Sequence, residues 1–579
     1  MSFGSSLSSV DKASMVTVAG SLRCGVSTRA WYAPKVPGCS PSIRSDCPLA
    51  GSRVLPRAWA LASRLHQTRC RMKLFLIYVR DEDFYNLLPR ELGGCEPGAD
   101  RIKVMAFPPI GIEVLAPVVR QHGHEVVMFD TCHPDMKKPR IAERVVEESP
   151  DAVAISFLST TSYPEAKSMA EAIKLASPDT PIIAGGVFAT MNSVNVLNDC
   201  PWFDSVGPGE GEELLPDYLD NLSDPGSVIG LVWRRDGEVV VNPPRPLVQD
   251  LDQFPFPDRG SLPIDYIESM PLDVPAVLSL DRFCTMQTSR GCPYPCIYCD
   301  IPALADGKWR CRSPEHVLAE MQQLNDEGYR SIYLTDDHFL LKRKRIEAIC
   351  QGIIDRRFEF RWGCEGRVDS VAVDQFPIMG EANCAMLAFG VESGSQKVLD
   401  RLKKGQGLDQ IEHAVTEAKR HGITTAHGFF LVGSPDETEE EILQSFRFAA
   451  RLRLDTFGFN RLCAYRGTPL WAEYVKRGII DDARDWNKWF KCSDIDPTVL
   501  PSEIVNNARK KGYLHLFLYR IFWRPLSSFR LLRNFARYMK KSDIAKLLWS
   551  PFRKQILFRK PELPARMIKQ GLDAPVRSG

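Results

Sequence analysis

Near the midpoint of the chain stands Ser289-Arg290-Gly291-Cys292-Pro293-Tyr294-Pro295-Cys296-Ile297-Tyr298-Cys299-Asp300. Its three cysteines are spaced C-x3-C-x2-C, and a glycine and two prolines hold the backbone in a loop. Thiolates bind soft metals, and a 4Fe–4S cluster is normally held by four of them. Three this close, with no fourth in register, suggest a cluster with one iron left open, over which the ring of Tyr298 would pack. Two alternatives stand beside that reading on spacing alone. Zinc asks for a closed set of four ligands in two separated pairs, and no clean second pair follows. A disulfide knot suits a small secreted domain rather than a long chain without a secretory signal. The flanking sequence has to decide.

Downstream of Cys299 the pattern alternates. Helical periodicity runs over 314–325, 343–356, 371–380, 411–421 and 439–452, with strand-like runs at 331–334, 360–363, 386–389, 424–431 and 456–460. Together with the run 285–288 that delivers the cysteine loop, these predict about six βα units, a partial (β/α)6 barrel whose chemistry gathers at the carboxyl ends of its strands. At those ends stand Thr335-Asp336-Asp337-His338-Phe339, Phe389-Gly390-Val391-Glu392-Ser393-Gly394-Ser395 and Leu431-Val432-Gly433-Ser434-Pro435-Asp436-Glu437-Thr438. Acids there suit a ligand's ammonium group. Asp336 or Asp337 reads equally as a helix N-cap, and Glu437 or Thr438 as the start of the next helix. Cys311, Cys364 and Cys384 read as small buried hydrophobes.

Upstream, strands are expected at 73–79, 125–129, 152–156, 182–184 and 205–206, with helices at 111–122, 141–148, 163–176 and 191–198. This order predicts an α/β, doubly wound (Rossmann-like) parallel sheet with its ligand at the strand carboxyl ends. Gly185-Gly186 follows one strand and Gly207-Pro208-Gly209-Glu210-Gly211-Glu212 the next. Such glycines let backbone approach a large ligand, though sharp turns explain them as well. Residues 223–284 hold a hairpin-like stretch around Asp236-Gly237 and a proline-rich run at 251–259, which reads as an extended linker.

Taken in order, the cysteine loop, the G-x-E-S-G and G-x-P-x-E-T segments at Gly390 and Gly433, Trp309-Arg310-Cys311-Arg312-Ser313-Pro314 and Tyr465-Arg466-Gly467-Thr468-Pro469-Leu470 resemble radical S-adenosylmethionine (SAM) enzymes over residues 285–480. The succession Pro108-Pro109-Ile110-Gly111-Ile112, Gly123-His124-Glu125-Val126, Ile155-Ser156, Ala184-Gly185-Gly186 and Gly209-Glu210-Gly211-Glu212 resembles the cobalamin-binding domain found ahead of many of them. The resemblance is to the class B-type methyltransferases. It implies a 4Fe–4S cluster on Cys292, Cys296 and Cys299, and SAM held by Tyr298, Asp336, Asp337, Glu392, Ser393, Gly433 and Pro435. It places cobalamin against Ser156, Gly185, Gly186, Gly209, Glu210 and Gly211. Cobalamin domains that supply a lower cobalt ligand carry D-x-H-x-x-G. Here Asp130-Thr131-Cys132-His133-Pro134-Asp135 displaces the histidine by one residue and lacks the glycine, which implies cobalamin without a histidine ligand and makes His133 an ordinary loop residue. The implied chemistry is reductive SAM cleavage, hydrogen abstraction from an unactivated carbon, and methyl transfer from methylcobalamin, fed by an external electron donor of flavodoxin or ferredoxin type.

Composition bounds the rest. With 579 residues there is room for three or four domains, and the net charge of +2 predicts no global attraction to nucleic acid. The 17 cysteines are mostly scattered, which favours a reducing, cytoplasmic setting. No apolar run reaches the roughly 18–20 residues needed to span a bilayer. Residues 1–71 carry only Asp11 and Asp46 as acids and show no periodicity. They read as disorder or as a start codon set too early, with a transit peptide as a third reading. Residues 491–579 form a helical, basic region, with amphipathic patterns at 514–524 and 529–538. Their leucine-rich faces favour the lipid interface, peripheral to the inner membrane face, over single-stranded nucleic acid, and a helical cap on the barrel mouth is the plain structural reading. The expected plan is thus an extension (1–71), a cobalamin domain (72–222), a linker (223–284), a radical SAM core (285–490) and the basic region. The expected activity is C-methylation of an apolar small molecule or lipid, either an isoprenoid or a tetrapyrrole. Oxidative cyclisation or rearrangement, and nucleic-acid modification, are the alternatives.

Overall fold

A computed structural model of the protein describes residues 71–80, 107–133, 136–262, 282–369, 373–487, 500 and 502–523. The expected extension (all but its last residue) and the basic pattern at 529–538 lie outside them. Two large sheets, one mixed and one all-parallel, organise the described residues. The first contains β1 (Lys73–Tyr78), β2 (Glu125–Asp130), β3 (Ala152–Ser156), β4 (Ile182–Gly185), β5 (Ser205–Val206), β6 (Val232–Arg235) and β7 (Glu238–Val241), in the order β2-β1-β3-β4-β5-β6-β7. The first five strands run parallel. β1 reads Leu-Phe-Leu-Ile without a polar break, and all four side chains are buried, as a central parallel strand covered on both faces requires. Because β2 and β3 flank β1 on opposite sides, the crossover direction reverses there, which opens a crevice at the strand carboxyl ends.

The hairpin expected within the linker belongs to this sheet. Asp236 and Gly237 both take positive φ (53° and 87°), as a two-residue primed turn demands, and β6 pairs antiparallel with β5 through Val206 and Val232. The proline-rich run behind it is pinned rather than loose: the Asp258 N–H donates to the Glu113 carbonyl at 2.8 Å and the Asp252 carboxylate accepts from the Ser313 N–H at 2.9 Å. One of those anchors lies in each half of the molecule.

The second sheet follows. β8 (Phe283–Met286) leads into the short antiparallel pair β9 (Ser289–Arg290) and β10 (Arg310–Cys311), which frames the cysteine loop. β11 (Ser331–Leu334), β12 (Arg361–Gly366), β13 (Cys384–Glu392), β14 (Thr425–Val432) and β15 (Thr456–Arg461) complete six parallel strands in the order β15-β14-β13-β12-β11-β8. This is the expected partial barrel. Strand alternation sends Ile332, Leu334, Trp362 and Cys364 into the core shared with the helices, while Tyr333 belongs to a separate cluster with Phe283 and Met386.

The helix Ser502–Trp523 packs against the helix Glu439–Arg451 and reaches Phe459 of the last strand. It packs Val505, Ala508 and Leu516 into the barrel core, and its Tyr513 meets Phe446 and Phe459, themselves stacked 3.8 Å apart. Among the described residues no helix is long and apolar enough to cross a membrane.

Candidate active site

The cysteine loop is fixed by acids from the strand beside it. Asp336, just past β11 and 3% exposed, accepts the Thr288 N–H (2.6 Å), the Thr288 hydroxyl (2.5 Å) and the Ser289 hydroxyl (2.6 Å). Asp337 accepts the Gly291 N–H at 2.6 Å. Neither caps a helix, since the short turn 339–341 begins from His338. Asp336 therefore holds the loop with three hydrogen bonds. Burial pushes the Asp337 carboxyl up to about 6, partly offset by the Gly291 N–H and reinforced by Asp336. Gly291 sits at φ 85°, with the Lys308 carbonyl oxygen 2.0 Å from where a Cβ would stand, so only glycine fits. On the far side Ile297 is clamped into an apolar cluster with Leu402, Leu470 and Tyr474, and its carbonyl accepts the Leu470 N–H at 2.9 Å.

Cys296 is buried and Cys292 and Cys299 are half-buried, all as free thiols. Burial, then the nearby Asp300 and the other two sulfurs, push the Cys299 thiol up to about 12, and burial likewise raises Cys292. Burial thus favours the neutral thiols, and turning them into thiolates calls for a compensating positive charge. Among the described residues no three His, Cys, Asp or Glu side chains converge as the ligands of one ion would. An iron–sulfur cluster, which gives each thiolate its own iron, does not ask for that convergence. The donor set, three thiols on one short loop, fits the cluster.

The other strand ends gather around the loop. Glu392 takes a positive φ of 64° where the β13–β14 register slips, and its carboxylate meets the buried Lys404 ammonium at 2.7 Å. The same ammonium lies 3.5 Å from the Tyr298 hydroxyl. Ser393 is fully buried, with its hydroxyl 3.0 Å from that of Ser445 and accepting the Ser395 N–H, so it ties the strand end to the helix Glu439–Arg451. The Gly433 and Ser434 N–H groups both donate to Glu437 (2.6 and 2.9 Å), which shapes the turn around buried Pro435. Thr438, not Glu437, caps the following helix, in a capping box with Glu441.

At the carboxyl ends of the first sheet lies a cavity of about 690 Å³. Ser156, Gly185, Gly186, Gly209, Glu210 and Gly211 all line it. Nothing stands within 4 Å of a Cβ built on Gly185 or Gly209, so these backbones face open space that a side chain would fill. That is the cradle a large flat ligand needs. The second domain lines the same cavity with Gln287, Gly291 and Asp337, so it reaches the residue next to Cys292. Among the described residues that line it, His133 does not appear. Glu210 lines the cavity too, but its oxygens are taken by Arg290 (2.9 Å), Arg310 (2.8 Å) and the Val248 N–H (3.0 Å). Glu212 pairs with Arg290 as well. These ion pairs fasten the glycine turn to the strands that frame the cysteine loop.

Comparison with known proteins agrees with this geometry. The model of the radical SAM superfamily matches residues 286–449, and that of the B12 binding domain matches residues 105–219. An uncharacterized methyltransferase of Pyrococcus horikoshii is 31% identical over 431 residues, 73% of this chain and 90% of the relative. The chain belongs to the radical SAM superfamily. The anaerobic magnesium-protoporphyrin IX monomethyl ester cyclase of Rubrivivax gelatinosus is 26% identical over 70% of this chain and 73% of its own length. The hopanoid C-3 methylase of Methylococcus capsulatus is 25% identical over 68% and 73%. Among solved structures, the cobalamin-dependent SAM radical enzyme OxsB superposes with a TM-score of 0.60 at 17% identity, covering 83% of this chain and 75% of that one, and shares its fold. This radical SAM enzyme therefore combines a B12-binding domain with a radical SAM domain, and its cofactors are a 4Fe–4S cluster, SAM and cobalamin.

Sequence reading missed several charged residues that this site gathers. Lys404 follows a short helix rather than a strand, and only the fold brings it to Glu392. Arg367 stands just past β12, a strand end that carries no motif by itself. Arg290 stands within the loop motif, but its partners lie about 80 residues upstream. His338 is buried against the Tyr294 ring with neither ring nitrogen hydrogen-bonded, and burial, helped by Arg367, drops its pKa to about 4, so the imidazole is neutral.

Proposed function

We propose that this radical SAM enzyme is a cobalamin-dependent C-methyltransferase acting on an unactivated carbon of an apolar substrate, an isoprenoid lipid or a tetrapyrrole. The observation that carries the proposal is the single cavity that joins the open glycine turns of the B12-binding domain to Gly291 and Asp337 beside the cysteine loop. Cys292, Cys296 and Cys299 would hold the cluster. Tyr298, Asp337, Glu392 and the turn at Gly433 and Pro435 would border SAM, with Asp336 and Ser393 acting from behind as supports. Ser156, Gly185, Gly186, Gly209 and Gly211 would cradle cobalamin, and Glu210 would hold that cradle in place. When bound, cluster and SAM supply the radical chemistry that opens a carbon–hydrogen bond, and cobalamin supplies the methyl group. The chain's own share is placement: Asp336 and Asp337 fix the loop, the Glu210–Arg290–Glu212 pairs fix the distance between the domains, and the apolar walls exclude water.

The names of the Pyrococcus and Methylococcus relatives favour methyl transfer, and the second names a hopanoid as what that relative methylates. The Rubrivivax relative supports a second reading, cobalamin-dependent ring closure. The deciding experiment is anaerobic turnover with methyl-labelled SAM. Methyl transfer predicts label in the product and two SAM consumed per turnover. Unlabelled product with one SAM consumed would point to the cyclase reading instead. A flavodoxin- or ferredoxin-type protein would deliver the electron. We place the enzyme in the cytoplasm, peripheral to the inner membrane face. Leu514, Leu518, Phe522 and Trp523 are exposed along the helix Ser502–Trp523, which supports the membrane contact. Co-sedimentation with anionic but not neutral vesicles is expected; failure with both removes the membrane contact and leaves the chemistry standing.

A further inference from the structure

We propose that Arg367 sets the reduction potential of the cluster by directing one N–H at the thiolate sulfur of Cys296. The inference rests on the cysteine loop carrying that cluster. Arg367 follows β12 and is 6% exposed. Its guanidinium grips Asp369 with both prongs of a fork, Nε to Oδ1 at 2.9 Å and Nη2 to Oδ2 at 2.7 Å, and Nη2 also donates to the Lys404 carbonyl. Its flat face covers the Tyr294 ring, 3.8 Å from the centroid. The Asp369 fork and the Tyr294 ring together fix the plane of the guanidinium. Nη1 lies 3.5 Å from the Cys296 sulfur, within hydrogen-bond range for sulfur.

The chemistry follows from charge. Reducing the cluster adds one negative charge to a loop already crowded with buried thiolates. A hydrogen bond to a ligand sulfur and a permanent cation beside it both stabilise the reduced state more than the oxidised one, so they raise the potential. Arginine suits the task because it stays charged and planar, so the Asp369 fork fixes where Nη1 points. Lysine keeps the charge without that direction. The opposing view is that Arg367 merely props Tyr294 and the loop.

The test compares wild type with Arg367→Met, Arg367→Gln and Arg367→Lys, each reconstituted anaerobically as the full chain. Iron and cobalamin content are measured, and the cluster's EPR signal is followed at poised potentials. The expected result is unchanged cobalamin, wild-type iron, and a midpoint shifted to more negative potential in Arg367→Met and Arg367→Gln, with Arg367→Lys closer to wild type. A wild-type midpoint in Arg367→Met overturns the proposal. If Arg367→Met cannot hold iron, a wild-type midpoint in Arg367→Gln overturns it equally, and a prop alone would lower iron content without moving the midpoint of the clusters that remain. A wild-type chain that binds no iron would instead refute the cluster reading beneath it.

Discussion

Gly291→Ala is a local test of how the cysteine loop is built. The residue sits at φ 85°, where a side chain costs about 1–2 kcal/mol. The new methyl would stand 2.0 Å from the Lys308 carbonyl oxygen and 2.8 Å from the Ala305 Cβ, whereas Cβ contacts essentially never fall below 3.0 Å. The loop must therefore retreat by about 1 Å from a backbone that β10 holds in place. That retreat lengthens the 2.6 Å bond from the Gly291 N–H to Asp337, and hydrogen bonds to charged groups contribute about 1.5–3 kcal/mol. The sum, about 3–5 kcal/mol, lowers the population of the native loop by roughly two to four orders of magnitude. Gly307→Ala is the control. It too has a positive φ (64°) but nothing within 4 Å of the added methyl, so only the backbone cost of about 1–2 kcal/mol applies. The assay is iron per chain after anaerobic reconstitution, with circular dichroism to confirm folding. Gly291→Ala is expected to lose its iron while Gly307→Ala keeps it; wild-type iron in Gly291→Ala would refute the packing argument.

Four further outcomes are expected. Cys299→Ala should lose the cluster's visible absorbance yet retain cobalamin, measured on the same purified chain. Arg290→Met strips buried Glu212 of its partner and should destabilise by about 3 kcal/mol, the low end for a broken buried pair because the Arg290 side chain is 18% exposed. Adding Glu212→Gln should recover part of that loss in a urea-denaturation cycle, and strict additivity would mean that the pair is not coupled. Glu437, whose pKa burial raises from 4.5 to about 7, holds its proton more tightly folded than unfolded. Its contribution is present below about pH 4.5 and is lost as pH rises through 7, up to roughly 3 kcal/mol, and Glu437→Gln should flatten that slope in pH-dependent denaturation. Gly512→Ala should destabilise even though alanine is the better helix former, because its Cβ would lie 2.2 Å from the Phe446 ring; a raised melting temperature would contradict that packing.

Much of this protein is decided by local pattern. β1, β3 and β5, and the helix Tyr163–Ala176, follow from apolar periodicity because the residues that bury each element sit at its own spacing. The loop of Cys292, Cys296 and Cys299 and the turns at Gly185 and Gly209 are legible for the same reason: each is a short run whose spacing is its chemistry. The partners of charged groups are a different matter. Asp336 and Asp337 looked alike in the sequence, yet one holds the loop from behind and the other also borders the cavity. Glu210 was read as touching a ligand, and the fold commits its oxygens to two arginines 80 and 100 residues away. The hairpin around Asp236-Gly237 was legible as a hairpin but not as the edge of the first sheet, because its partner strand β5 is two residues long. Sequence alone determined the two α/β domains, their order and the spacing of the cysteine loop, since these depend on neighbours along the chain. Only the tertiary structure decided that one cavity joins the domains, that Glu392 meets Lys404 and that Arg367 meets Cys296. Coulomb forces and hydrogen bonds act through space, and residues far apart in sequence meet only once the chain has folded.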